Sequence, residues 1–347
     1  MKVLITGGSG FIGTNLIADL LDKGIDFVNV DWNAPLNPEH TVFWKDCDIM
    51  DLNALQEIFS SFQPSVVIHL AARTDTDIYD LEGDLNEYIQ NTEGTRNVIK
   101  CINQTSTVKR AVITSSMFVC EPGYVPKSEV DYKPFTLYGV SKILTEKYTK
   151  EGNLDCIWTI IRPQTIWGPW SVRYKETMFR VMKKGLYFHP SKKNVQRAYG
   201  YVGNVVWQIQ QILTSPKDLV HQQIFYVGDE SINLLEWVNI VSQEFTGKPA
   251  RILPTSFVKG IAVTGDILKK INISFPLTST RFNSMTQDYL TNIGKTYATF
   301  GRPPFNTKEG VKAFVQWYYT ESNNKGARTN RKLKALILDY DNKTSFK

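Results

Sequence analysis

KVLITGGSGFIG, residues Lys2 to Gly13, is the stretch that decides the fold. The apolar run Val3–Thr6 has strand length, and it enters glycines at positions 7, 10 and 13 before a helix-like pattern, Phe11–Leu21, takes over. Glycine serves two purposes in such a turn. It accepts unusual dihedrals, and it lacks the Cβ that would keep the backbone from approaching a pyrophosphate at the helix N-terminus.

Outward from this stretch the same alternation repeats. Strand-length runs at Phe27–Asp31, Val66–Ala72, Arg110–Ser115 and Cys156–Ile161 are separated by helix-length runs at Leu52–Phe62, Leu85–Ile102 and Leu137–Lys150. Short apolar runs alternating with amphipathic ones are the pattern of βαβ units, so the chain reads as α/β, a doubly wound parallel sheet of the Rossmann kind. After Arg162-Pro163 the alternation fails. An aromatic- and lysine-rich segment runs from Trp167 to Tyr199, a helix-like Val202–Leu213 and a strand-like Gln223–Val227 follow, and Ser231–Ser322 is irregular and more helical. Residues 1–165, with 200–228 returning to them, are expected to form the dinucleotide domain. Residues 166–199 and 229–323 are expected to form a smaller interleaved substrate domain, with 324–347 as a tail.

With 347 residues, 42% hydrophobic and 21% charged, the chain can bury a sizeable core. The formal net charge is +6, yet residues 324–347 hold seven Lys and Arg against two Asp, which leaves the remainder near neutrality. Such a body argues against a nucleic-acid partner. The tail, with Leu333, Leu336, Ile337 and Leu338 among its cations, reads as a solvated terminus, with peripheral membrane contact as the alternative. Four scattered cysteines and four histidines without metal-ligand spacing indicate neither a disulfide framework nor a metal site. The expected setting is cytoplasmic, with reduced thiols and no signal segment.

Three further positions carry chemistry. Asp31 ends the second apolar run, where a carboxylate accepts hydrogen bonds from an adenosine ribose and repels a 2′-phosphate; no arginine follows it, so NAD is favoured over NADP. Tyr138 and Lys142 stand at i and i+4, on one helix face, where the ammonium is expected to draw the phenol pKa toward physiological pH. A hydroxyl at the end of the Arg110 strand, in Thr114-Ser115-Ser116, would face the ligand crevice and hold a substrate oxygen beside that tyrosine.

In these features the chain resembles the extended short-chain dehydrogenase/reductases, NAD-dependent epimerases, dehydratases and reductases that act mostly on nucleotide-activated sugars. Matching segments are Gly7–Gly13, Asp31, Asp48-Ile49, His69 to Ala72, Asn91 within NTEGTRNV, Ser115-Ser116, Tyr138 to Lys142, and Arg162-Pro163 through Pro169; Gly310 to Tyr318 is similar to the family's closing helix. The resemblance implies that Gly7, Gly10, Phe11, Ile12 and Gly13 cradle the NAD pyrophosphate, Asp31 holds the ribose, and Asp48 and Ile49 meet adenine. It implies that Leu70, Ala71, Ala72 and Asn91 line the way to nicotinamide. Tyr138 would be the acid/base, Lys142 its partner at the nicotinamide ribose, and Ser116, rather than Ser115, the binder of the reacting oxygen. It also implies a homodimer.

Departures narrow the chemistry. Met117-Phe118 stand where the sugar 4,6-dehydratases carry an Asp-Glu pair, which disfavours dehydration, and Met117 also replaces the cysteine of the fucose-donor epimerase-reductases. Thr165 stands where many nucleotide-sugar enzymes place an asparagine, while Arg197 matches an arginine that pairs with the substrate diphosphate. His189 with Lys183, Lys184, Lys192 and Lys193 reads mainly as a solvated face. The leading expectation is a nucleotide-sugar epimerase acting at C4. The alternatives are a net dehydrogenase of a sugar, steroid or lipid-like alcohol and, from a different class, a non-catalytic dinucleotide sensor.

Overall fold

Seven parallel strands form the central sheet of the protein, seen in a computed structural model that describes residues 1–74, 81–191, 193–271, 273, 275 and 277–321. In chain order six of them are β1 (Lys2–Thr6), β2 (Asp26–Asp31), β3 (Trp44–Asp46), β4 (Val66–His69), β5 (Arg110–Thr114) and β6 (Ile157–Pro163). The seventh, Gln223–Val227, pairs with β6 at the edge, in register Gln223 to Thr159 through Val227 to Pro163. Across the sheet the order is Gln223–Val227, β6, β5, β4, β1, β2, β3. Chain direction therefore reverses between β1 and β4, the switch point where open α/β sheets bind ligands.

The strands are apolar on both faces because helices cover both. On one face Leu4, Val28, Val67, Ala111 and Ile113 meet Leu55 and Phe59 of α2 (Leu52–Phe62) and Val98, Ile99 and Ile102 of α3 (Ile89–Gln104). On the other Val3, Ile5, Ile68 and Val112 meet Leu16, Ile17 and Leu20 of α1 (Phe11–Asp22) and Val205 and Ile209 of the Val202–Thr214 helix. Each such buried aliphatic or aromatic side chain contributes about 1.5–3 kcal/mol, and cover on both faces is why the central strands run as consecutive apolar residues, as in Val3-Leu4-Ile5 and Val66-Val67-Ile68.

The second half builds no comparable sheet. Two- and three-residue strands pair off, Thr165–Trp167 with Tyr199–Tyr201, Gln196–Arg197 with Ile232–Asn233, and Phe188–His189 with Arg251–Ile252. An aromatic core of Trp167, Phe179, Trp237, Phe314 and Tyr318 holds these to the Leu234–Thr246 helix and the closing helix over residues 307–321. Among the described residues no helix is long and apolar enough to cross a membrane, and no cluster of His, Cys, Asp or Glu could hold a metal ion. The basic tail and Lys192 lie outside the described residues.

Candidate active site

A cavity of about 1630 Å³ runs along the carboxyl ends of the strands and over the switch point. Its first wall is the glycine turn. Gly7 has φ +77°, and a Cβ there would meet the Ala71 backbone nitrogen at 2.4 Å; one on Gly13 would meet the Gly8 Cα at 2.5 Å. Gly7 packs the turn against the loop after β4, and Gly13 packs the start of α1 against the turn itself. Gly10 is different: a Cβ on it would approach only the Gly7 carbonyl, at 3.3 Å, so the remaining space belongs to the cavity at the α1 N-terminus.

Asp31 stands beside this turn. Its Oδ2 accepts the Ser9 N–H at 3.1 Å and its Oδ1 the Asn33 N–H at 2.9 Å, so the carboxylate is oriented while lone pairs stay free. Burial raises its pKa, against the lowering effect of the Asn33 and Ser9 bonds. Phe11, Ile12, Gly13, Asp48, Ile49, Leu70, Ala71 and Ala72 line the same space, with Trp32, which the sequence motifs had not marked.

Asn91 is not part of that wall. Completely buried, it accepts the Arg73 N–H at 2.8 Å and donates to the Arg73 carbonyl at 3.0 Å and the Ser141 hydroxyl at 2.9 Å. It pins the loop after β4 to α4 (Leu137–Glu151) from behind. The cavity surface there is Arg73, Thr74 and Gln90 instead.

The reactive groups meet because α4 starts hard against the loop after β5. The Thr136 hydroxyl caps the helix by accepting the Gly139 N–H at 2.9 Å, and a Cβ on Gly139 would strike the Phe118 carbonyl at 2.4 Å. That approach brings Tyr138 beside Ser116. Lys142 follows one turn later, its Nζ 6.0 Å from the Tyr138 ring centre and donating to the Thr114 carbonyl at 2.9 Å. Both serines line the cavity, but the Ser115 hydroxyl donates to Glu146 Oε1 at 2.6 Å, whereas the Ser116 hydroxyl only accepts, from the Phe118 N–H at 3.2 Å, and lies beside Tyr138.

The expected lowering of the tyrosine pKa is not what the structure has. Burial pushes Tyr138 up to about 12, only partly opposed by the Ser116 hydrogen bond, and burial also pushes Lys142 down to about 7, against the pull of Glu146. Spacing placed both groups on one face; desolvation, which disfavours either charge, is the larger effect once they are inside.

Behind the trio lies a buried ion pair between Arg162, which the sequence marked only as part of a family segment, and Glu146, which no motif marked. Arg162 Nε donates to Glu146 Oε1 at 2.7 Å and Nη2 to Oε2 at 2.8 Å; Tyr132 adds a bond to Oε2 at 2.8 Å, and Arg162 also donates to the Glu129 carbonyl at 2.6 Å. For Glu146 the available signal was its place at i+4 from Lys142. His69 is likewise structural: it bonds Thr6 at 2.6 Å and Thr95 at 3.1 Å, and burial takes its pKa down to about 3.

The other wall comes from the second half. Tyr289 donates to the Cys120 carbonyl at 2.7 Å and stacks edge-on against Phe118, tying the irregular half to the loop that carries Ser116. Thr165 faces the cavity and donates to the Met117 sulfur at 3.7 Å. Arg197 also lines the cavity, 8% exposed; Nη1 donates to the Gln287 carbonyl at 3.4 Å, and its buried Nε has no hydrogen-bond partner among the described residues. His189 is buried and burial lowers its pKa to about 4, so it adds no positive charge near neutrality. Neither it nor Lys183, Lys184 or Lys193 lines the cavity.

Gln90, Thr114 and Arg197 line the cavity, and each also carries a buried polar atom with no hydrogen-bond partner among the described residues: Oε1, Oγ1 and Nε. The space at Gly10 and the oriented Asp31 carboxylate fit a dinucleotide lying from the α1 N-terminus toward Tyr138.

The family model for the NAD dependent epimerase/dehydratase family matches residues 3–228. The chain belongs to that family. It is thus an NAD-dependent enzyme. Its relatives include a 3-beta-hydroxysteroid dehydrogenase of Mycolicibacterium neoaurum, 27% identical and covering 92% of each chain. Another is the N-acetyl-alpha-D-glucosaminyl-diphospho-ditrans,octacis-undecaprenol 4-epimerase of Escherichia coli O157:H7, 26% identical over 92% of this chain and 96% of that one. The fold is shared with the UDP-glucose 4-epimerase of Thermotoga maritima solved with UDP-glucose, at TM-score 0.70 and 20% identity, covering 92% of this chain and 99% of that one.

Proposed function

We propose that the enzyme epimerises a nucleotide-activated sugar at C4 through a transient ketone. The observation that carries this reading is Arg197. A nearly buried guanidinium on the cavity wall with no carboxylate partner among the described residues calls for an anion, and a diphosphate supplies one that a neutral alcohol does not. The relative from Escherichia coli and the Thermotoga maritima structure both carry names in which a sugar is borne on a diphosphate. Met117, buried where a dehydratase needs an acid, adds no group for removing water.

Gly7, Gly10 and Gly13 would hold the pyrophosphate of NAD and Asp31 its ribose. Bound NAD supplies a hydride acceptor and, once the ketone has turned, a hydride donor. Ser116 holds the reacting oxygen within reach of Tyr138, whose phenol oxygen takes the hydroxyl proton and returns it. Lys142, anchored on the Thr114 carbonyl, stands close enough for its charge to favour the phenolate when protonated.

A second reading rests on a different part of the same cavity. Met178, Val181, Leu186, Ile261, Leu277 and Met285 form an apolar wall that suits a steroid or lipid-like alcohol undergoing net oxidation. One experiment separates the two. The purified enzyme should release NAD on denaturation and convert UDP-glucose or UDP-N-acetylglucosamine to its 4-epimer, seen by NMR, without accumulating NADH. Steady NADH production from a hydroxysteroid, with no epimer from either nucleotide sugar, overturns the epimerase reading in favour of the second.

A further inference from the structure

The helix Thr255–Lys270 is apolar on two sides. Its inner side, Val258, Ala262 and Gly265, is buried against Leu277 and Phe282; a Cβ on Gly265 would meet the Leu277 carbonyl, so the helix backbone lies directly on that segment. Ile261, beside this inner face, lines the cavity. A surface helix of this kind is expected to turn charged residues to solvent.

This one does not. Phe257, Val263 and Ile267 are 58%, 47% and 58% exposed, and Ile271, just past the last turn, is 61% exposed. At 100° per residue the three helical positions span an arc of about 120°, filled in only by Ser256, Gly260 and Thr264. Ile252, also exposed, precedes the helix on a strand that pairs with Phe188–His189, near the exposed, cavity-lining Leu186. Charge is ordered about this stripe. Exposed Lys259 and Lys270 border it on one side and Arg251 stands at its start, whereas the one acid of the helix, Asp266, is tied inward, accepting the Ser279 N–H at 3.1 Å.

We propose that this helix seats the enzyme on an anionic lipid surface, with its exposed apolar stripe in the acyl boundary, its cations at the headgroups and the apolar wall of the cavity beside that surface. Cations along one border of an uncharged stripe complement anionic headgroups above acyl chains, and a second protein copy has no need of that order. The inference rests on the helix and the cavity wall and holds whichever alcohol is oxidised.

The test uses the full chain with vesicles of phosphatidylcholine, with and without phosphatidylglycerol. The protein should sediment with the anionic vesicles and be released by salt. The V263D/I267D variant should bind at least about tenfold more weakly, with NAD content unchanged, because both side chains are exposed. The tail variant R331Q/K332Q/K334Q should keep most of the binding. A dye on Val263→Cys, selective because all four native cysteines are buried, should shift to the blue on anionic vesicles alone. The proposal is overturned if V263D/I267D binds like the parent, if only the tail variant loses binding, or if the dye shifts without lipid while sedimentation velocity shows a dimer that V263D/I267D dissociates. The dye keeps the outcome decisive should the double variant fold poorly.

Discussion

The two halves of this enzyme solve different problems with different materials. Between Lys2 and Pro163 the chain repeats one unit, a buried strand followed by an amphipathic helix, and its functional groups sit at fixed places in that repeat: glycines after β1, Asp31 after β2, serines after β5 and Tyr138 in the first turn of α4. Beyond Gln164 the strands shrink to two or three residues, apart from the returning Gln223–Val227, and the wall is an assembly of loops held by aromatic packing and by single contacts such as Tyr289 on Cys120. A regular half places chemistry; an irregular half can vary the substrate without disturbing it.

Substitutions that respect or violate this division test it, the largest expected effect first. Tyr138→Phe should lower turnover by roughly 10²–10⁴-fold while bound NAD, measured after denaturation, stays at the parent level. A variant with near-normal turnover would remove the tyrosine from the proton path. Glu146→Ala should strip the Arg162 guanidinium of its partner in a site where both are nearly inaccessible, at a cost of about 3–5 kcal/mol in chemical denaturation. If stability is unchanged, the ion pair does not brace the regular half.

Arg197→Met belongs to the other half and should behave differently. Loss of a charge-assisted contact worth about 1.5–3 kcal/mol should appear in kcat/KM for a diphosphate-linked substrate, with melting temperature and NAD content little affected. An unchanged kcat/KM would detach the arginine from substrate. The remaining test concerns pH. Lys142 ordinarily titrates near 10.5 and burial brings it to about 7, so between these values the unfolded chain holds a proton that the folded chain has given up. Stability should therefore rise with pH across that window, by at most about 1.4 kcal/mol per pH unit, and Lys142→Met should lack this increment. Parallel pH profiles for the two NAD-free proteins would show that Lys142 is not desolvated.

The same division explains what was legible in the sequence. The common placement of Gly7, Gly10, Gly13, Asp31, Tyr138 and Lys142 on one cavity could be read because it follows from local geometry: a turn that needs glycine, a strand end, an i to i+4 pair. Ser116 could be separated from Ser115 only by motif position, and the structure supplies a physical basis in the bond from Ser115 to Glu146. Asn91 stands behind the wall and His189 is buried, facts that depend on segments distant in the chain. The pKa of Tyr138 was misjudged because a spacing reveals which charges are neighbours and says nothing of how much water is lost around them. Trp32, Phe118 and Tyr289 carried no motif at all.

Gly265 has a consequence of another kind. Because its missing side chain lets a helix backbone rest on the Leu277 carbonyl, the spacing between that helix and the cavity wall is set by a single hydrogen atom. Alanine there would have to lift one from the other, and the displacement would fall on Leu277 and neighbouring Phe275, both on the lining, while the glycine turn and Tyr138 stay where the sheet holds them. The position is a natural adjusting screw for the size of accepted substrate, remote from every atom that takes part in the reaction.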